Sequence, residues 1–521
     1  MLADKSFKLI AEGRTVKEAI LIKELEPGCI GDLLLHQAER NPDRVAVTFG
    51  EEKWTYKQLL SRTVTLQLQI EPFVRKGDIA ILCLPNSAAY IQAYFAVTLL
   101  GAIVMPFYYG SSRAELVRAC RVVDARLCIT TAEMRVKLRE LAEQTDQALN
   151  ASPAVQILCM EDLQNVETEA KPIYRSCLFD EVALMLQTSG TTGNPKIVQL
   201  THRNLITNVK AHCHSLNLTE KDKVLITLPM PFGYCNTSQF LTHMYLGSEI
   251  VIMPELFLPS SFLRTIQEQQ ITVVTAVPTM LQAVSLLKSE YKQLPALRYI
   301  CFGGGQVAPK VLEAVRDKLP PNVQMVQTYG QTEAGPRITT RIIPKEYHPS
   351  NVGKPIRGVE ICIRDEHGNT LGFLEPGEVW VSSLSVMKGY YRNQAETDVT
   401  LVNGWLRTGD RGYVDEENNL WILGRSKLLI KSGGKQVHPE EIEQLILNHF
   451  PVDQVVVKAE ADQWLGEVPV AFIVLGEKGT GIEVNDILRL CRSRLSAFKV
   501  PKRVEIVQTL PRTPTGKIQR S

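Results

Sequence analysis

Residues Thr188–Lys196 read TSGTTGNPK, a run of hydroxyl side chains and glycines that ends in one lysine. Apolar stretches at 182–186 and 197–200 flank the run, which predicts a hairpin-like loop between two buried strands. Glycines let a backbone approach a ligand closely, and loop amides with hydroxyl groups can surround an anion. The run therefore indicates a phosphate-binding loop. Its candidate contacts are Thr188, Ser189, Gly190, Thr191, Thr192, Gly193 and Lys196.

The spacing in this run differs from that of a Walker loop, which needs four residues between its first glycine and Gly-Lys-Ser/Thr, and then a helix. Here a second strand follows, and Thr201 is predicted to cap a helix that begins at His202. Taken alone, the run could also be an ordinary surface loop rich in serine, threonine and glycine.

Composition describes a globular protein of several subdomains. The chain has 521 residues, which is too long for one hydrophobic core. Its residues are 45% hydrophobic and 22% charged, as in ordinary globular proteins. Its 58 basic residues nearly balance its 56 acidic ones, so charge gives no reason to expect a nucleic acid or an anionic membrane as partner. Eleven cysteines stand singly, without a Cys-x-x-Cys or ligand-spaced Cys/His cluster. Neither a zinc site nor a disulfide framework is predicted, and reduced thiols in the cytoplasm are expected.

One segment competes as a membrane span. Residues 88–109 are uncharged and long enough to cross a bilayer. However, Gly101 and Pro106 interrupt them, and a helix up to Leu100 followed by a strand at 102–105 explains them as buried core. We therefore predict no transmembrane segment, and the first residues lack the apolar core of a signal peptide.

Strands alternate with helices in two blocks, 31–130 and 223–301, which predicts an α/β fold with two mostly parallel, doubly wound subdomains. Residues 143–170 are predicted to form an irregular connection between the first block and the loop at 188–196. From Asn351 onward, short strands separated by glycine turns predict a small β subdomain.

A boundary is predicted at 425/426. It divides an N-terminal domain, residues 1–425, from a small α+β C-terminal domain, residues 426–521, of an ordinary domain size.

Further motifs follow the predicted strands. Gly303, Gly304 and Gly305 come after the strand at 297–301, where bare backbone would accept a flat ring and where ligands gather in such sheets. Tyr329-Gly330-Gln331-Thr332-Glu333 follows further along the chain. Taken alone, Glu333 would be a solvated loop acid. Thr408-Gly409-Asp410 is predicted to precede a strand and has the composition of a common turn.

The order of these motifs resembles that of the adenylate-forming superfamily, which comprises acyl-CoA synthetases, adenylation domains of peptide synthetases and beetle luciferases. The resemblance extends over essentially the whole chain. It implies that ATP converts a carboxylic acid to acyl-AMP, whose acyl group then passes to a thiol. It further implies that Tyr329 stacks on adenine, Thr332 contacts the α-phosphate, Glu333 helps to hold Mg²⁺, Asp410 accepts the ribose hydroxyls and Arg425 reaches the nucleotide, with Gly330 and Gln331 in the same motif.

The last hundred residues carry three elements of the same resemblance. Lys427 occupies the position of the hinge, where many relatives have aspartate. Ser432, Gly433 and Gly434 resemble the loop along which the thiol of pantetheine passes. Lys517, in Thr513–Lys517, resembles the lysine that bridges the carboxylate and the α-phosphate, and an ammonium group there would offset the negative charge of the transition state.

The sequence departs from relatives in the candidate acid pocket. Phe232 lies near the position where relatives often carry histidine, with Gly233 and Tyr234 beside it. No acid occurs between Pro229 and Ser248, so an α-ammonium group would be left unpaired in a buried pocket, at high cost. An α-amino acid is therefore disfavoured, and a hydrophobic acyl or aryl acid is expected.

These observations predict an ATP- and Mg²⁺-dependent acid–thiol ligase that uses coenzyme A. The alternative is a freestanding adenylation enzyme that loads the pantetheine arm of a separate acyl carrier protein. A more remote alternative is a non-catalytic nucleotide-binding protein, but Lys517, Glu333 and Asp410 are all present. Nothing in the sequence marks a luciferase-like oxygenase.

Overall fold

The computed structural model describes residues 27–136, 155–188, 196–253, 257–289, 291–425, 430–432, 435–437, 439–476, 479, 481–512 and 518. The helices that lie entirely within these ranges, apart from short 3₁₀ turns, are α1 (Ile30–Arg40), α2 (Tyr56–Ile70), α3 (Ala88–Leu99), α4 (Arg113–Val122), α5 (His202–Ser215), α6 (Gly233–Cys235), α7 (Thr242–Leu246), α8 (Pro259–Glu268), α9 (Pro278–Ser285), α10 (Pro309–Lys318), α11 (Gln394–Thr400), α12 (Pro439–His449) and α13 (Val484–Arg494). A π-helical turn, Asn236–Leu241, joins α6 to α7.

The strands in the described ranges are β1 (Val45–Phe49), β2 (Glu52–Thr55), β3 (Ile79–Leu82), β4 (Ile103–Pro106), β5 (Leu127–Thr130), β6 (Gln156–Cys159), β7 (Val182–Thr188), β8 (Lys196–Thr201), β9 (Lys223–Ile226), β10 (Glu249–Ile252), β11 (Val273–Ala276), β12 (Tyr299–Phe302), β13 (Gln324–Gly330), β14 (Arg337–Ile342), β15 (Asn351–Pro355), β16 (Val359–Arg364), β17 (Gly377–Ser383), β18 (Gly389–Tyr390), β19 (Leu401–Val402), β20 (Trp405–Val414), β21 (Leu420–Arg425), β22 (Ile430–Ser432), β23 (Lys435–Val437), β24 (Val452–Asp462), β25 (Gly466–Leu475) and β26 (Arg503–Ile506).

Two large sheets carry the N-terminal part of the chain. The first has the order β16-β17-β20-β21-β15-β14-β13-β12-β11-β9-β10-β1-β2, and its section from β13 to β1 is parallel. The second has the order β18-β8-β7-β4-β3-β5-β6, parallel from β6 to β7. The antiparallel strands β14, β15, β16, β17, β20 and β21 extend the first sheet, which confirms the predicted combination of two α/β subdomains with a β subdomain.

A separate small sheet begins after β21. It has the order β23-β22-β25-β24, with β26 parallel to β25, and α12 and α13 supply apolar side chains to its core. The structure thus changes from one sheet to another between Arg425 and Ile430. The domain division at 425/426 remains a prediction.

The uncharged segment at 88–109 is core. Apart from Ala89, every residue of α3 is buried, and β4 lies between β3 and β7 in the second sheet. Across the ranges that the structure describes, no helix combines the length and the apolar character that crossing a membrane requires.

Two details of the sequence interpretation are wrong. The segment 143–170 contains β6, which pairs in parallel with β5, so its apolar run is a strand and not part of an irregular connection. Thr408-Gly409-Asp410 lies inside β20, because this strand begins at Trp405. Its turn-like composition is accommodated by Gly409 with φ of 70° and by a bulge between Arg411 and Gly412.

Candidate active site

The strands around the loop at 189–195 have the predicted arrangement. β7 and β8 are antiparallel, and Thr188 and Lys196 are directly opposite each other at the open end of the pair. Thr201 caps α5 through its hydroxyl, which accepts the Asn204 amide at 3.1 Å. Ser189, Gly190, Thr191, Thr192 and Gly193 lie outside the described residues, so their contacts with phosphate remain predictions.

Both glycine motifs lie at one edge of the first sheet. β12 ends at Phe302, just before Gly303, and the parallel neighbour β13 ends at Gly330. A Cβ at Gly303 would come within 2.5 Å of Thr328 Oγ1, and one at Gly330 within 1.8 Å of the Pro336 carbonyl oxygen. Only glycine fits at these two positions. Gly304 and Gly305 are exposed beside them and leave this edge open.

Tyr329, Asp410 and Arg425 form one cluster. The Tyr329 hydroxyl donates to Asp410 Oδ2 at 2.6 Å, and Arg425 Nε donates to Asp410 Oδ1 at 3.0 Å. Asp410 and Arg425 are cross-strand partners in β20 and β21. Tyr329 contacts Asp410 from the end of β13. Each carboxylate oxygen has a second lone pair, so Asp410 can still accept ribose hydroxyls. The three residues predicted to bind the nucleoside are therefore adjacent.

Glu333 lies in a second cluster, which sequence reasoning missed in part. Glu333 Oε1 accepts the Tyr390 hydroxyl at 2.9 Å, and Lys196 Nζ lies 4.9 Å from the centre of the Tyr390 ring and donates to Glu396. Burial and the neighbouring Glu333 charge raise the pKa of Tyr390, which therefore remains a hydrogen-bond donor. Glu333 Oε2 makes no hydrogen bond with a described residue, which suits a carboxylate that faces a hard cation.

Tyr390 and Glu396 could not have been identified from local sequence. Tyr390 comes after a glycine in an otherwise turn-like segment, and only the pairing of β18 with β8 brings it beside Lys196. Lys196 and Glu333 are therefore linked through Tyr390, although Tyr390 lies about two hundred residues after Lys196 in sequence.

The candidate acid pocket adjoins these clusters. A Cβ added to Gly233 would lie 3.7 Å from Thr332 Oγ1. Tyr234 hydrogen bonds through its hydroxyl to Thr328 Oγ1 at 2.8 Å, and the half-buried Phe232 ring packs on Tyr108 with centroids 5.4 Å apart. Gly233 at the start of α6 thus connects an aromatic surface to the segment that carries Thr332 and Glu333. Gln331 leads into the 3₁₀ turn Thr332–Ala334.

Helix α12, which packs on the small C-terminal sheet, adjoins the same edge. Gln444 on α12 donates to Gln306 at 2.9 Å, directly after the exposed glycines. Ser432 is buried and opposes both Lys435 and Gly466. The hinge Lys427, the loop glycines Gly433 and Gly434, and Lys517 lie outside the described residues, and their roles remain predictions.

The fold brings together two cysteines and a histidine that have no ligand spacing in the sequence. Ligand atoms of Cys29, Cys177 and His202 lie within 4.8 Å of one another, far apart in sequence but joined where α1 and α5 begin. His202 Nδ1 accepts the Ile30 amide at 3.1 Å, so the ring proton is on Nε2. A metal on either nitrogen would disturb this hydrogen bond. All eleven cysteines lie in described ranges and are free thiols.

Comparison with known proteins finds matches over nearly the whole chain. A family model described as AMP-binding enzyme matches residues 34–391, and one described as AMP-binding enzyme C-terminal domain matches residues 441–517. A 2-succinylbenzoate–CoA ligase of Bacillus licheniformis is 32% identical over 94% of this chain and 98% of its own length. The 4-coumarate–CoA ligase 1 of Arabidopsis thaliana is also 32% identical, over 86% and 83% of the two chains.

Solved structures agree with these matches. The O-succinylbenzoate coenzyme A synthetase of Bacillus subtilis, in complex with ATP and a magnesium ion, is 29% identical and superposes with a TM-score of 0.81 over 94% of this chain and 98% of that one. The same protein has been solved with its acyl-adenylate intermediate and superposes with a TM-score of 0.80.

Proposed function

The chain belongs to the AMP-binding enzyme family and is an ATP-dependent, AMP-forming acid–thiol ligase, and from this premise we propose that it joins an acid with an acyl or aryl chain to coenzyme A. In the first step a carboxylate oxygen attacks the α-phosphorus of ATP, and pyrophosphate leaves. In the second step the thiol sulfur attacks the acyl carbon of acyl-AMP, and AMP leaves. Acyl-AMP is a reactive mixed anhydride, so the site has to exclude water between the steps.

The observation that carries this proposal is the Tyr329–Asp410–Arg425 cluster beside the segment that holds Thr332 and Glu333. It supports a nucleoside held at one end of the site and phosphates directed towards Lys196 and Glu333. Magnesium would enter with ATP, and Glu333 and the phosphate oxygens offer the hard oxygen ligands that it requires. Coenzyme A is favoured because relatives that match most of the chain are CoA ligases.

Acceptor assays test the proposal directly. The purified enzyme is expected to form a thioester on coenzyme A when given ATP, Mg²⁺ and a suitable acid. Purified carrier proteins with pantetheine arms serve as competing acceptors. If carrier proteins accept the acyl group and coenzyme A does not, the enzyme is the freestanding adenylation type. If pyrophosphate is not released with any acid, the ligase function itself is wrong.

Asp410→Ala is expected to raise the KM for ATP about ten-fold or more, because hydrogen bonds to charged groups contribute roughly 1.5–3 kcal/mol each. The preference among acids should barely change, since Asp410 lies on the nucleoside side of Tyr329. Pyrophosphate release at varied ATP measures both quantities. Asp398→Ala, an exposed aspartate on α11, is the matched control. A change in acid selectivity without a change in ATP dependence would show that Asp410 is assigned to the wrong group.

Acids with aliphatic or aryl chains are expected to exceed α-amino acids by at least ~10²-fold in kcat/KM, because an unpaired polar group in a pocket discriminates strongly. The segment from Pro229 to Ser248 offers no carboxylate for an ammonium group. Phenylalanine and 3-phenylpropanoate form a suitable pair, since they differ only in that group. An assay in which the α-amino acid is the better substrate contradicts this prediction.

A further inference from the structure

Arg337 is a buried cation beside the candidate acid pocket. It lies at the start of β14, four residues after Glu333, and only 2% of its surface is exposed. Its guanidinium carbon lies 5.8 Å from the centre of the Tyr234 ring. Asn208 on α5 holds the backbone here, accepting the Arg337 amide at 3.2 Å and donating to its carbonyl at 2.9 Å. Asn208 of α5 thus fixes the Arg337 backbone, and the guanidinium lies beside the Tyr234 ring.

This guanidinium has no anionic partner among the described residues. Nη1 makes one long hydrogen bond, 3.4 Å to Thr340 Oγ1, and Nη2 makes none. The other buried charged side chains are partnered. Asp222 accepts from Arg298 at 2.6 Å, Asp410 from Arg425 at 3.0 Å, and Glu443 from the Val457 amide at 2.7 Å. Because an unpaired buried charge costs several kcal/mol, Arg337 is unusual in this protein.

The surroundings of Arg337 do not offset its charge. His212 lies one helical turn beyond Asn208 on α5. Burial lowers the pKa of His212 well below the usual value, and the Arg337 charge lowers it further. The ring is therefore neutral. His212 Nδ1 and the buried Ser238 hydroxyl have no hydrogen-bond partner among the described residues. A neutral, incompletely hydrogen-bonded environment around a fixed cation is what an anionic ligand group would complete.

We propose that Arg337 binds a second carboxylate of the acid, so that this enzyme activates dicarboxylic acids at one end while the other end pairs with Arg337. The inference rests on the proposed function. Gly233 lies beside Thr332, and the ring of the next residue, Tyr234, lies beside the Arg337 guanidinium, so an acid bound along these residues would have a reacting end and an anchored end. The aromatic surface of Phe232 and Tyr234 accommodates the apolar part between them. The same cation repels an α-ammonium group.

Matched pairs of acids test the substrate class. Short aliphatic and aromatic diacids are compared with their monomethyl esters in pyrophosphate release by the full-length enzyme. In at least one pair the diacid is expected to exceed its ester by ~10²-fold in kcat/KM, because the ester leaves the guanidinium unpaired. If the esters equal or exceed the diacids in every pair, the inference is wrong although the ligase function stands. If no acid of either kind releases pyrophosphate, the proposed function is wrong.

Arg337→Gln tests the residue. The diacid preference is expected to fall from ~10²-fold to near unity, and Arg264→Gln, an exposed arginine on α8, should retain it. An equal loss of kcat/KM with the diacid and with the ester would show that Arg337 orients the reacting carboxylate or maintains the fold. A rise confined to the KM for ATP would show that it binds a phosphate. Either result overturns the inference.

Thermal unfolding separates a ligand-binding role from a structural one. Arg337→Met removes the unpaired charge and keeps much of the apolar stem, so the unliganded variant is expected to be no less stable than the parent. The preferred diacid should raise the unfolding temperature of the parent but not of the variant. A variant that is clearly less stable without ligand, and that is still stabilised by the diacid, contradicts the proposal.

Discussion

Lys517→Ala is expected to slow acyl-AMP formation by ~10²-fold or more, because removing a group that stabilises charge in the transition state has an effect of this size. As carboxylate attacks phosphorus, negative charge accumulates on the α-phosphate, and the lysine ammonium is predicted to offset it. Arg512 and Ile518, which lie on either side of Lys517 in sequence, form an antiparallel bridge. Pyrophosphate release measures this half-reaction.

The same variant should be much less impaired in thioester formation when synthetic acyl-AMP is supplied, because that step is expected to use another surface of the C-terminal domain. Lys221→Ala, at an exposed lysine, controls for loss of one positive charge. A Lys517→Ala enzyme that adenylates normally would remove the central catalytic assignment.

Replacing Gly434 with leucine should have the opposite effect, with near-normal pyrophosphate release and blocked thioester formation. Ser432 and Lys435 oppose each other in adjacent strands, and the two residues between them in sequence are both glycine. The resemblance implies that the pantetheine thiol passes this loop, so an isobutyl group would obstruct it without touching the adenylation step. Thioester formation from supplied acyl-AMP is the measurement.

Gly481→Leu is a suitable control in the same domain. An added Cβ at Gly481 meets no atom within 4 Å, but its φ of 109° imposes backbone strain like that expected in a tight hairpin. If Lys517→Ala and Gly434→Leu both lose both half-reactions equally while remaining folded, two separate catalytic conformations are not supported in this enzyme.

Much of the fold was predictable because its signals are local. The helix predicted to end at Leu100 occurs at Ala88–Leu99, and the helix predicted to begin at His202 occurs at His202–Ser215. Apolar periodicity and capping residues act within a few residues of one another, so these signals can be recognised in the sequence alone. β6 was missed because its short apolar run lies among polar residues and becomes a strand by pairing with β5.

Residue type and motif order assigned several residues to one site, and their roles remain predictions. Tyr329, Asp410 and Arg425 were assigned to one nucleotide from the order of motifs, and in the structure Tyr329 and Arg425 each place a polar atom within 3.0 Å of the Asp410 carboxylate. The local conformation around Asp410 was predicted wrongly. Gly409 belongs to a segment of turn-like composition, but this segment lies within β20, where a bulge accommodates it.

Sequence by itself determined the family, the α/β architecture and the set of polar residues available for nucleotide chemistry. Only the tertiary structure decided which side chains are partners. Tyr390 meets Glu333 because β18 pairs with β8. Arg337 lies between α5 and the Tyr234 ring, where no carboxylate among the described residues pairs with it. Pairing and desolvation depend on which strands and helices pack together across long stretches of chain, and the free energy of a charge depends on those neighbours and not on its own position in the sequence.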